Sequence, residues 1–472
     1  MSNPSPVIVW FRRDLRLADN PALHAAVDSG KPLILLYIDE TNRGRDLGAA
    51  SRVWLHRSLE SLRASIQALG GSLILRRGHA VEVLNDIIAE TGADEFHWNR
   101  RYEGWARDVD EAIKTDLKSR GLSVESHKAN LLTEPWEVAT KTGGFYKVFT
   151  PFWRAVTRDI EVAPPIDAPK RLACVGALDS ERLSDWDLLP TSPDWASELM
   201  EPYAPGETGA EERLAAFLDG PVKDYGVQRD IPSNETGTSK LSPHLAFGEI
   251  SPRQIWTAAK ASEYNTEKFL SEIGWREFSY TLLFYNPELA SKNYKPDFDK
   301  FQWDSAADKV EAWRRGQTGY PFVDAGMREL WQTGWQHNRV RMVCASFLIK
   351  HLLTDWRVGE EWYWDTLLEA DPASNAASWQ WVAGSGADAS PYFRIFNPFS
   401  QGEKFDPNGD YVRKFVPELA KLPKKYIHQP WTAPGLTLLE AGVKLGETYP
   451  HPIVDHKTAR EKALAAYKAS RA

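Results

Sequence analysis

Short apolar runs alternate with helical patterns over the first part of the chain. The runs predict five strands, at residues 7–10, 32–38, 72–75, 95–98 and 123–126. Between the second and third runs, one face of a predicted helix that ends at Gly70 carries Leu55, Leu59, Leu62, Ile66 and Leu69. Parallel strands need crossover helices of this kind, so the alternation predicts an α/β domain with a Rossmann-like parallel sheet.

The carboxyl ends of such strands are where an open α/β sheet binds ligands. No GxGxxG motif follows the first strand and no P-loop occurs, so nothing supports a dinucleotide in the usual place. Tyr102 and Glu103 follow the fourth strand and are the candidate ligand contacts at this edge.

The remainder of the chain divides into two segments. From 130 to 207 the pattern weakens and prolines accumulate, which predicts a long interdomain linker. Its stretch 144–153, GFYKVFTPFW, is too aromatic for a solvated loop and is expected to pack on a domain or a ligand. From 208 onward helical patterns dominate. The predicted organisation is therefore an α/β domain at 1–129, a linker at 130–207 and an all-α domain at 208–472.

Composition narrows the class of protein. The 472 residues suffice for two or three domains of ~150 residues each. A net charge of −8 argues against a protein that coats nucleic acid nonspecifically, although a local basic patch can exist on an acidic body. The two cysteines, Cys174 and Cys344, are too few for a disulfide framework or a cysteine metal cluster, and no metal site is expected. With no membrane-length apolar run and no secretory signal, a cytoplasmic protein is expected.

Residues 335–405 mix tryptophan, Asn, Arg and carboxylates within apolar periodicity. The spacing from 335 to 356 is helical, and one face carries Asn338, Arg341, Met342 and Ala345. Asp371 before Pro372 predicts an N-cap with proline at the first helical position. Because buried charges must be paired, Arg341 with Glu369 or Asp371 is the natural ion pair. The alternative is a buried network that only fixes the packing of a helical core.

Trp379 and Trp381 follow on the same predicted helix. Two positions apart, their side chains point about 200° apart and cannot serve the same contact. One can face a bound cofactor while the other faces a second ligand.

Two earlier patterns also suggest binding chemistry. GTSKLSP, at 237–243, gathers hydroxyls and free backbone N–H groups where Ser242 and Pro243 open a helix, which makes an anion site; an ordinary capped turn is the alternative. On a helix further on, Glu272, Trp275 and Arg276 share one face. This face places a carboxylate beside an aromatic ring and a cation, which suggests a binding surface. The alternative is a surface ion pair with a half-buried tryptophan.

Several long motifs, taken in order, resemble the photolyase/cryptochrome family. The motifs are WFRRDLRL (10–17), GWQHNRVRM (334–342), SWQW (378–381), RIFNP (394–398), QGEKF (401–405) and PIVDH (452–456). The resemblance extends over nearly the whole chain. It implies that the N-terminal domain holds an antenna chromophore and that the all-α C-terminal domain binds FAD.

The resemblance implies a role for each matching residue. The positions that would hold FAD are Tyr225, Thr238, Ser239, Lys240, Leu241, Ser242, Asn338, Arg341, Glu369, Ala370, Asp371 and Asn375. The positions that would meet DNA are Arg229, Trp275, Arg276, Arg339, Met342, Trp381, Arg394 and Gln401. Glu272 matches the substrate-contacting carboxylate, Asn375 the position that faces flavin N5, and Trp303, Trp356 and Trp379 the family's electron relay.

The implied reaction is repair of cyclobutane pyrimidine dimers in single- or double-stranded DNA. Fully reduced, anionic FAD absorbs light directly or through the antenna, passes one electron to the dimer, and receives it back after the cyclobutane ring opens. A dimer stacks poorly, so flipping it from the duplex costs less than flipping a normal base. A monomer that associates with the nucleoid when bound to DNA is expected.

Two rival functions make different demands on the sequence. A cryptochrome-type photoreceptor carries Cys or Asp where this chain has Asn375, and usually a long tail that is not seen before Ala472. A (6-4) photolyase carries histidines where this chain has Asn338 and Met342, because its chemistry needs an imidazole proton donor. His337 is one place off, so it is expected to point elsewhere.

Two departures from the family pattern affect the cofactors. Glu369 stands where the family usually has Asp, so its pairing with Arg341 is expected to shift by a methylene. Ala290 and Ser291 replace a Cys-Lys pair seen in some folate-binding members. Methenyltetrahydrofolate, contacted by Glu103, is the expected antenna, with a deazaflavin or FMN as the alternatives.

Overall fold

A five-stranded parallel sheet forms the N-terminal part of the computed structural model, which describes residues 4–41, 44–304, 306–388, 392 and 394–470. The strands are β1 Val7–Phe11, β2 Leu33–Glu40, β3 Leu73–Gly78, β4 Glu95–Asn99 and β5 Ser123–His127. Their order is β3-β2-β1-β4-β5, with β1 paired in parallel to both β2 and β4. All five strands predicted from the apolar runs are confirmed, as is the parallel sheet.

Helices cover both faces of this sheet, so alternate residues of each strand enter different cores. Val7, Val9 and Phe11 belong to one buried cluster, whereas Ile8 and Trp10 belong to the other. The helices of this region are α1 Pro21–Asp28, α2 Ala49–Ala68, α3 Ala80–Thr91 and α4 Gly104–Ser119. The predicted leucine-lined helix before Gly70 is α2.

The predicted linker contains more regular structure than its prolines suggest. Its helices are α5 Phe149–Asp159 and α6 Ala196–Met200, with a 3₁₀ turn at Leu183–Trp186. The backbone of Cys174 forms a bridge to Leu33, and Phe152 of α5 is fully buried. The aromatic stretch therefore packs on the protein, as expected.

From Glu207 onward the described residues form helices and turns, which confirms the predicted helical region. The helices are α7 Glu207–Leu218, α8 Tyr225–Gln228, α9 Ser242–Phe247, α10 Pro252–Ala261, α11 Glu267–Tyr285, α12 Ala307–Arg314, α13 Pro321–Thr333, α14 Asn338–Ser346, α15 Trp356–Thr366, α16 Pro372–Ala383, α17 Pro398–Phe405, α18 Asp410–Phe415, α19 Gly435–Ala441 and α20 His456–Ser470. Short 3₁₀ turns lie at Pro221–Asp224, Pro296–Lys300, Pro417–Leu419 and Pro430–Thr432.

The helical spacing predicted from 335 to 356 is only partly right. The α-helix ends at Ser346, the next turn, Phe347–His351, is a π-helix, and the chain leaves the helix before α15 begins at Trp356. A π turn adds one residue to the helical repeat. Phe347, Leu348 and Ile349 are buried although the backbone hydrogen-bonding pattern has changed.

Two compact units make up the chain. The first contains Met1–Gly220, Ser239–Pro287 and Leu368–Ala370, and the second contains Pro221–Thr238, Glu288–Leu367 and Asp371–Ala472. The chain thus passes between the units several times, and their boundaries differ from the predicted segments 1–129, 130–207 and 208–472. Among the described residues, no helix is both long enough and apolar enough to span a bilayer.

Candidate flavin and nucleic-acid site

The side-chain amide of Asn375 has a defined orientation. Its Nδ2 donates to the backbone oxygen of Glu360 at 3.1 Å and to Glu360 Oε1 at 2.8 Å. Both bonds use the NH₂ group, and no described residue donates to Oδ1. Glu360 therefore holds the NH₂ group of a buried amide, and the contact of Asn375 with flavin N5 stays a prediction.

Asp371 caps α16 as predicted. Its Oδ1 accepts from the backbone N–H groups of Ala373 and Ser374 at 3.1 and 2.6 Å, with Pro372 at the first helical position. In the first compact unit, Glu369 is buried and the backbone oxygen of Ala370 accepts from Arg13. The ion pair of Arg341 with Glu369 or Asp371 stays a prediction.

Helix α14 presents the other predicted cofactor contacts. Asn338 is exposed at its first position, and Arg341 and Met342 are half-buried. Arg341 Nε donates to the backbone oxygen of Gln336 at 2.7 Å. This bond restrains the guanidinium at the nitrogen through which it joins the side chain. His337 caps this helix, its Nδ1 accepting from the N–H of Arg339, and burial lowers its pKa to about 4. The imidazole is therefore neutral and caps α14.

Residues 237–242 form a turn leading into α9. Leu241 is buried, whereas Thr238, Ser239, Lys240 and Ser242 are half-buried. In the second unit, a Cβ at Gly237 would lie 2.7 Å from the backbone oxygen of Gln228, so only glycine allows the turn to approach that closely. Tyr225, also buried, lies under the guanidinium of Arg229 at 5.4 Å. The hydroxyls and N–H groups of this turn fit a diphosphate chemically, and the anion site stays a prediction.

Trp379 is held in a tight aromatic environment. Its ring lies edge-on to Tyr363 at 5.0 Å and to Trp313 at 6.4 Å between ring centres. A Cβ at Gly359 would come within 2.1 Å of the Trp379 ring, so α15 and α16 meet where only glycine fits. Sequence reasoning missed Gly359, because no local pattern indicates which residue of another helix it faces.

The two other tryptophans of the predicted relay lie elsewhere in the second unit. Trp356 is fully buried and its Nε1 donates to Asn293 Oδ1 at 2.9 Å. Trp303 is half-buried against Phe301, with ring centres 4.3 Å apart. Among the described residues, neither ring contacts Trp379, so the relay would operate without direct ring contact.

Trp381 faces differently from Trp379, as the helical geometry predicted. The guanidinium of Arg394 lies 5.9 Å from the centre of its ring, and Arg394 itself is exposed. The Trp381 Nε1 atom is buried and has no partner among the described residues. Gln401, half-buried, lies in α17, which follows Arg394 in the chain.

Arg339 is already engaged within the second unit. Its Nη2 donates to Asp230 at 2.8 Å, its guanidinium lies 4.5 Å from the Phe405 ring centre, and its side chain is 21% exposed. Its Nη1 lies 3.8 Å from the sulfur of Met342. A phosphate contact by Arg339 would therefore compete with Asp230.

Helix α11 presents the predicted substrate face of the first unit. Glu272 Oε1 pairs with Lys268 at 2.7 Å, one helical turn away. Trp275 stacks on Phe149 of α5, with ring centres 3.8 Å apart, and the other ring it contacts, that of Phe278, is edge-on. Among the described residues, the ring stacked on Trp275 is that of Phe149, and the contact of Trp275 with a base stays a prediction.

Arg276 is less available than its position in the sequence suggests. Its Nη1 donates to the backbone oxygen of Asn130 at 2.6 Å, and only 11% of its side chain is exposed. It also lies over the ring of Tyr280 at 4.8 Å. In this structure Arg276 ties α11 to the segment after β5.

Glu277, next to it, is a buried carboxylate that sequence reasoning missed. Its Oε2 accepts from the backbone N–H groups of Leu132 and Thr133 at 2.8 and 3.1 Å. Burial raises the pKa of Glu277 to about 7, against the opposing effect of Arg276. Arg276 and Glu277 thus both hydrogen-bond to the backbone of the segment after β5, and together they attach α11 to it.

Glu103, the candidate antenna contact, is the N-cap residue of α4. Its Oε2 accepts from the N–H of Tyr102 at 3.1 Å. Next to it in the chain, Arg101 is buried and pairs with Glu40 and with Asp110, the latter at 3.0 Å. The carboxyl edge of the sheet is therefore charged and internally paired beside Glu103.

Two family models and several known proteins match this chain. Residues 7–170 match the DNA photolyase model, and residues 269–469 match the model for the FAD binding domain of DNA photolyase. A deoxyribodipyrimidine photo-lyase of Agrobacterium fabrum is 56% identical over 98% of each chain. Cryptochrome-1 of Arabidopsis thaliana is 39% identical over 95% of this chain and 68% of its own length. The crystal structure of a bacterial class III photolyase from Agrobacterium tumefaciens superposes with a TM-score of 0.97, at 56% identity, over 100% of this chain and 98% of that one.

Proposed function

The chain belongs to the DNA photolyase family, and we propose that it splits cyclobutane pyrimidine dimers in DNA under light. The observation that carries the proposal is the 56% identity, over 98% of both chains, to a protein named for that reaction. The plant cryptochrome match is more distant and covers 68% of that protein. The neutral amide of Asn375, in place of a Cys or Asp, supports the same choice.

The residues present suit FAD as the cofactor. The polar turn Thr238–Ser242 and Tyr225 would contact the diphosphate and the cofactor atoms next to it. The flavin and the rest of the cofactor would be contacted by Asn338, Arg341, Glu369, Ala370 and Asp371. Bound and fully reduced, FAD supplies light absorption and the electron for repair. Asn375, oriented by Glu360, would accept a hydrogen bond from the flavin. A neutral amide there would favour the reduced, anionic flavin more than a carboxylate at the same position would.

The damaged bases would be received by two aromatic rings and one carboxylate. Trp275 and Trp381 would cover the flipped dimer, since each ring has an aromatic or cationic neighbour that fixes its plane. Glu272, as a carboxylate, would accept a hydrogen bond from the ring N3–H on the carbonyl edge of the dimer. Lys268, which pairs with Glu272, would help to orient that carboxylate.

The DNA backbone would meet the exposed and half-buried cations of the helical region. Arg394 is the most exposed of the three principal candidates, whereas Arg276 and Arg339 are largely occupied by Asn130 and Asp230. Arg229, Met342 and Gln401 complete the proposed contact set. The acidic body then needs only a local positive patch, because phosphate contacts supply most of the nonspecific affinity.

Three tryptophans and an antenna would serve the cofactor. Trp379, Trp356 and Trp303 would carry electrons to oxidised FAD, from the protein surface at the half-buried Trp303 inward to the buried Trp356 and Trp379. Methenyltetrahydrofolate would be the antenna, with Glu103 as a contact. We further propose that the protein acts as a monomer and associates with the nucleoid through damaged DNA.

Repair of defined lesions by the purified protein tests the function. The protein is reduced, illuminated, and given three oligonucleotides that carry a cyclobutane thymine dimer, a (6-4) photoproduct or no lesion. The proposal predicts loss of the cyclobutane dimer alone, and only in the light. Loss of the (6-4) product would favour that photolyase class, and loss of neither lesion would favour the cryptochrome reading.

A further inference from the structure

Three side chains with metal-binding atoms lie together on one face of the sheet in the first compact unit. They are His97 on β4 and Glu125 and His127 on β5, and one ligand atom from each lies within 4.8 Å of the other two. In the parallel register His97 pairs with Glu125, and His127 is two residues further along β5. Side chains two residues apart on a strand share a face, so the sheet itself brings the three together.

The spacing of the two imidazoles suits a bound metal ion. His97 Nδ1 lies 3.0 Å from His127 Nε2. Two nitrogen ligands at the usual zinc distance, in a tetrahedral arrangement, lie about 3.4 Å apart. We propose that His97, Glu125 and His127, none of which is among the residues proposed to contact flavin or DNA, bind a divalent transition metal ion of the zinc type.

A carboxylate outside this group orients the first ligand. The Nε2 of His97 lies 2.8 Å from Glu95 Oε1, and the other Glu95 oxygen is held by Lys31 at 2.9 Å. With Nε2–H donating to Glu95, Nδ1 of His97 keeps its lone pair on the side of His127. Metal-binding histidines nearly always donate their second N–H to a carboxylate or carbonyl in this way. Without a metal ion, a His127 Nε2–H group would donate to His97 Nδ1; on metal binding His127 takes its Nδ1–H tautomer, so that both facing nitrogens present lone pairs.

Exposure and charge define the kind of site. His97 is 4% exposed, His127 is half-buried and Glu125 is exposed, on the edge strand of the sheet. Two imidazoles and one carboxylate leave a fourth, open position for water. The nearby cations are themselves engaged, since Arg100 pairs with Glu134 at 2.6 Å and Lys114 donates to Ser126 at 2.7 Å.

No pattern in the sequence predicts this site. The absence of a metal was inferred from the two cysteines, whereas these ligands are histidines and a carboxylate thirty positions apart in the chain. Only the pairing of β4 with β5 brings them together.

Zinc binding by the intact flavoprotein tests the proposal. The purified protein is stripped with a chelator, dialysed against graded free Zn²⁺, and its bound zinc is measured by mass spectrometry. One zinc ion per chain is expected. His127→Gln, which keeps a side-chain hydrogen-bonding group but removes the ligand, should weaken binding at least 100-fold, and Glu95→Gln should weaken it about 10- to 100-fold.

His79→Ala is the matched control, because His79 is exposed at the start of α3 and makes no side-chain cap bond. Its zinc affinity should equal that of the parent. Unchanged FAD content in every variant shows that the fold is intact, and Glu125→Gln, at an exposed position, replaces His127→Gln if that variant fails to fold. No stoichiometric zinc in the parent, or equal zinc affinity in the parent and His127→Gln, would overturn the proposal.

Discussion

At the scale of single residues, Glu272 is the side chain proposed to touch the lesion. Its carboxylate pairs with Lys268 one helical turn away. Removing a hydrogen bond from a charged group costs about 1.5–3 kcal/mol. Glu272→Ala should therefore lower the yield of dimer splitting per absorbed photon while FAD stays bound.

The control for this prediction is Glu267→Ala, an exposed carboxylate at the start of the same helix. The measurement is dimer loss per photon in fully reduced protein, alongside the flavin absorbance. Equal yields in the parent and both variants would remove Glu272 from the substrate site.

The side chain of Asn375 is constrained by its hydrogen bond to Glu360. In Asn375→Asp a carboxylate replaces the NH₂ group that now donates to Glu360 Oε1 at 2.8 Å. Two carboxylates at that distance cannot both ionise without penalty, so the pKa of one should rise and the variant should lose thermal stability as pH increases. The added charge should also disfavour the reduced anionic cofactor.

Adding Glu360→Gln to Asn375→Asp should restore the thermal midpoint at high pH, because it removes the like-charge pair. Melting curves between pH 5 and pH 9 check this, with illuminated flavin spectra to follow reduction. A single variant as stable as the parent at every pH would contradict the described contact.

At the scale of helices and strands, the close approach of α15 to α16 depends on Gly359. A Cβ there would meet the Trp379 ring at 2.1 Å, and both helices carry other buried side chains at the contact. Overpacking of this kind costs about 1–3 kcal/mol. Gly359→Ala should lower the thermal midpoint by several degrees and slow photoreduction of oxidised FAD.

Gly435→Ala is the matched substitution, because a Cβ at this first residue of α19 meets nothing within 4 Å. It should leave the thermal midpoint and photoreduction unchanged. A melting curve for Gly359→Ala that overlays that of Gly435→Ala would mean that the two helices can separate at no cost.

The sequence predicts elements better than contacts, for a physical reason. The strands are short apolar runs and α16 begins with a capping Asp and a Pro, so local chemistry decides them. The π turn at Phe347–His351 has the same apolar character as an α-helix, so the sequence pattern does not reveal it. Contacts such as Asn375 to Glu360, fifteen residues apart, depend on how two helices pack.

The same limit applies to the arginines. Their types and positions marked Arg276, Arg339 and Arg394 as equal candidates for phosphate contacts. Their availability differs because Asn130 and Asp230, both remote in sequence, occupy the first two. Only the folded structure shows that Arg394 is exposed whereas Arg276 and Arg339 are engaged.

At the scale of the whole molecule, the proposed function requires a protein of net charge −8 to bind DNA, an anionic polymer. Arg394 is exposed and lies beside Trp381, so it should contribute one full phosphate contact. Arg394→Ala should weaken binding to damaged duplex and lower the log–log salt slope by about 0.9.

Arg315→Ala, an exposed arginine paired with Glu311 on α12, is the control and should leave the salt slope unchanged. Binding isotherms at several salt concentrations give both slopes. Equal slopes for Arg394→Ala and the parent would show that the DNA backbone lies elsewhere.

Turnover of thymine dimers tests the central claim most directly. Fully reduced protein is mixed with an excess of an oligonucleotide that carries one cyclobutane dimer, in single- and double-stranded form, and divided between light and dark. The proposed function predicts the loss of many dimers per protein molecule in the light and of none in the dark. If reduced, illuminated protein removes no dimers from either form, the chain is not a photolyase in function, whatever its family.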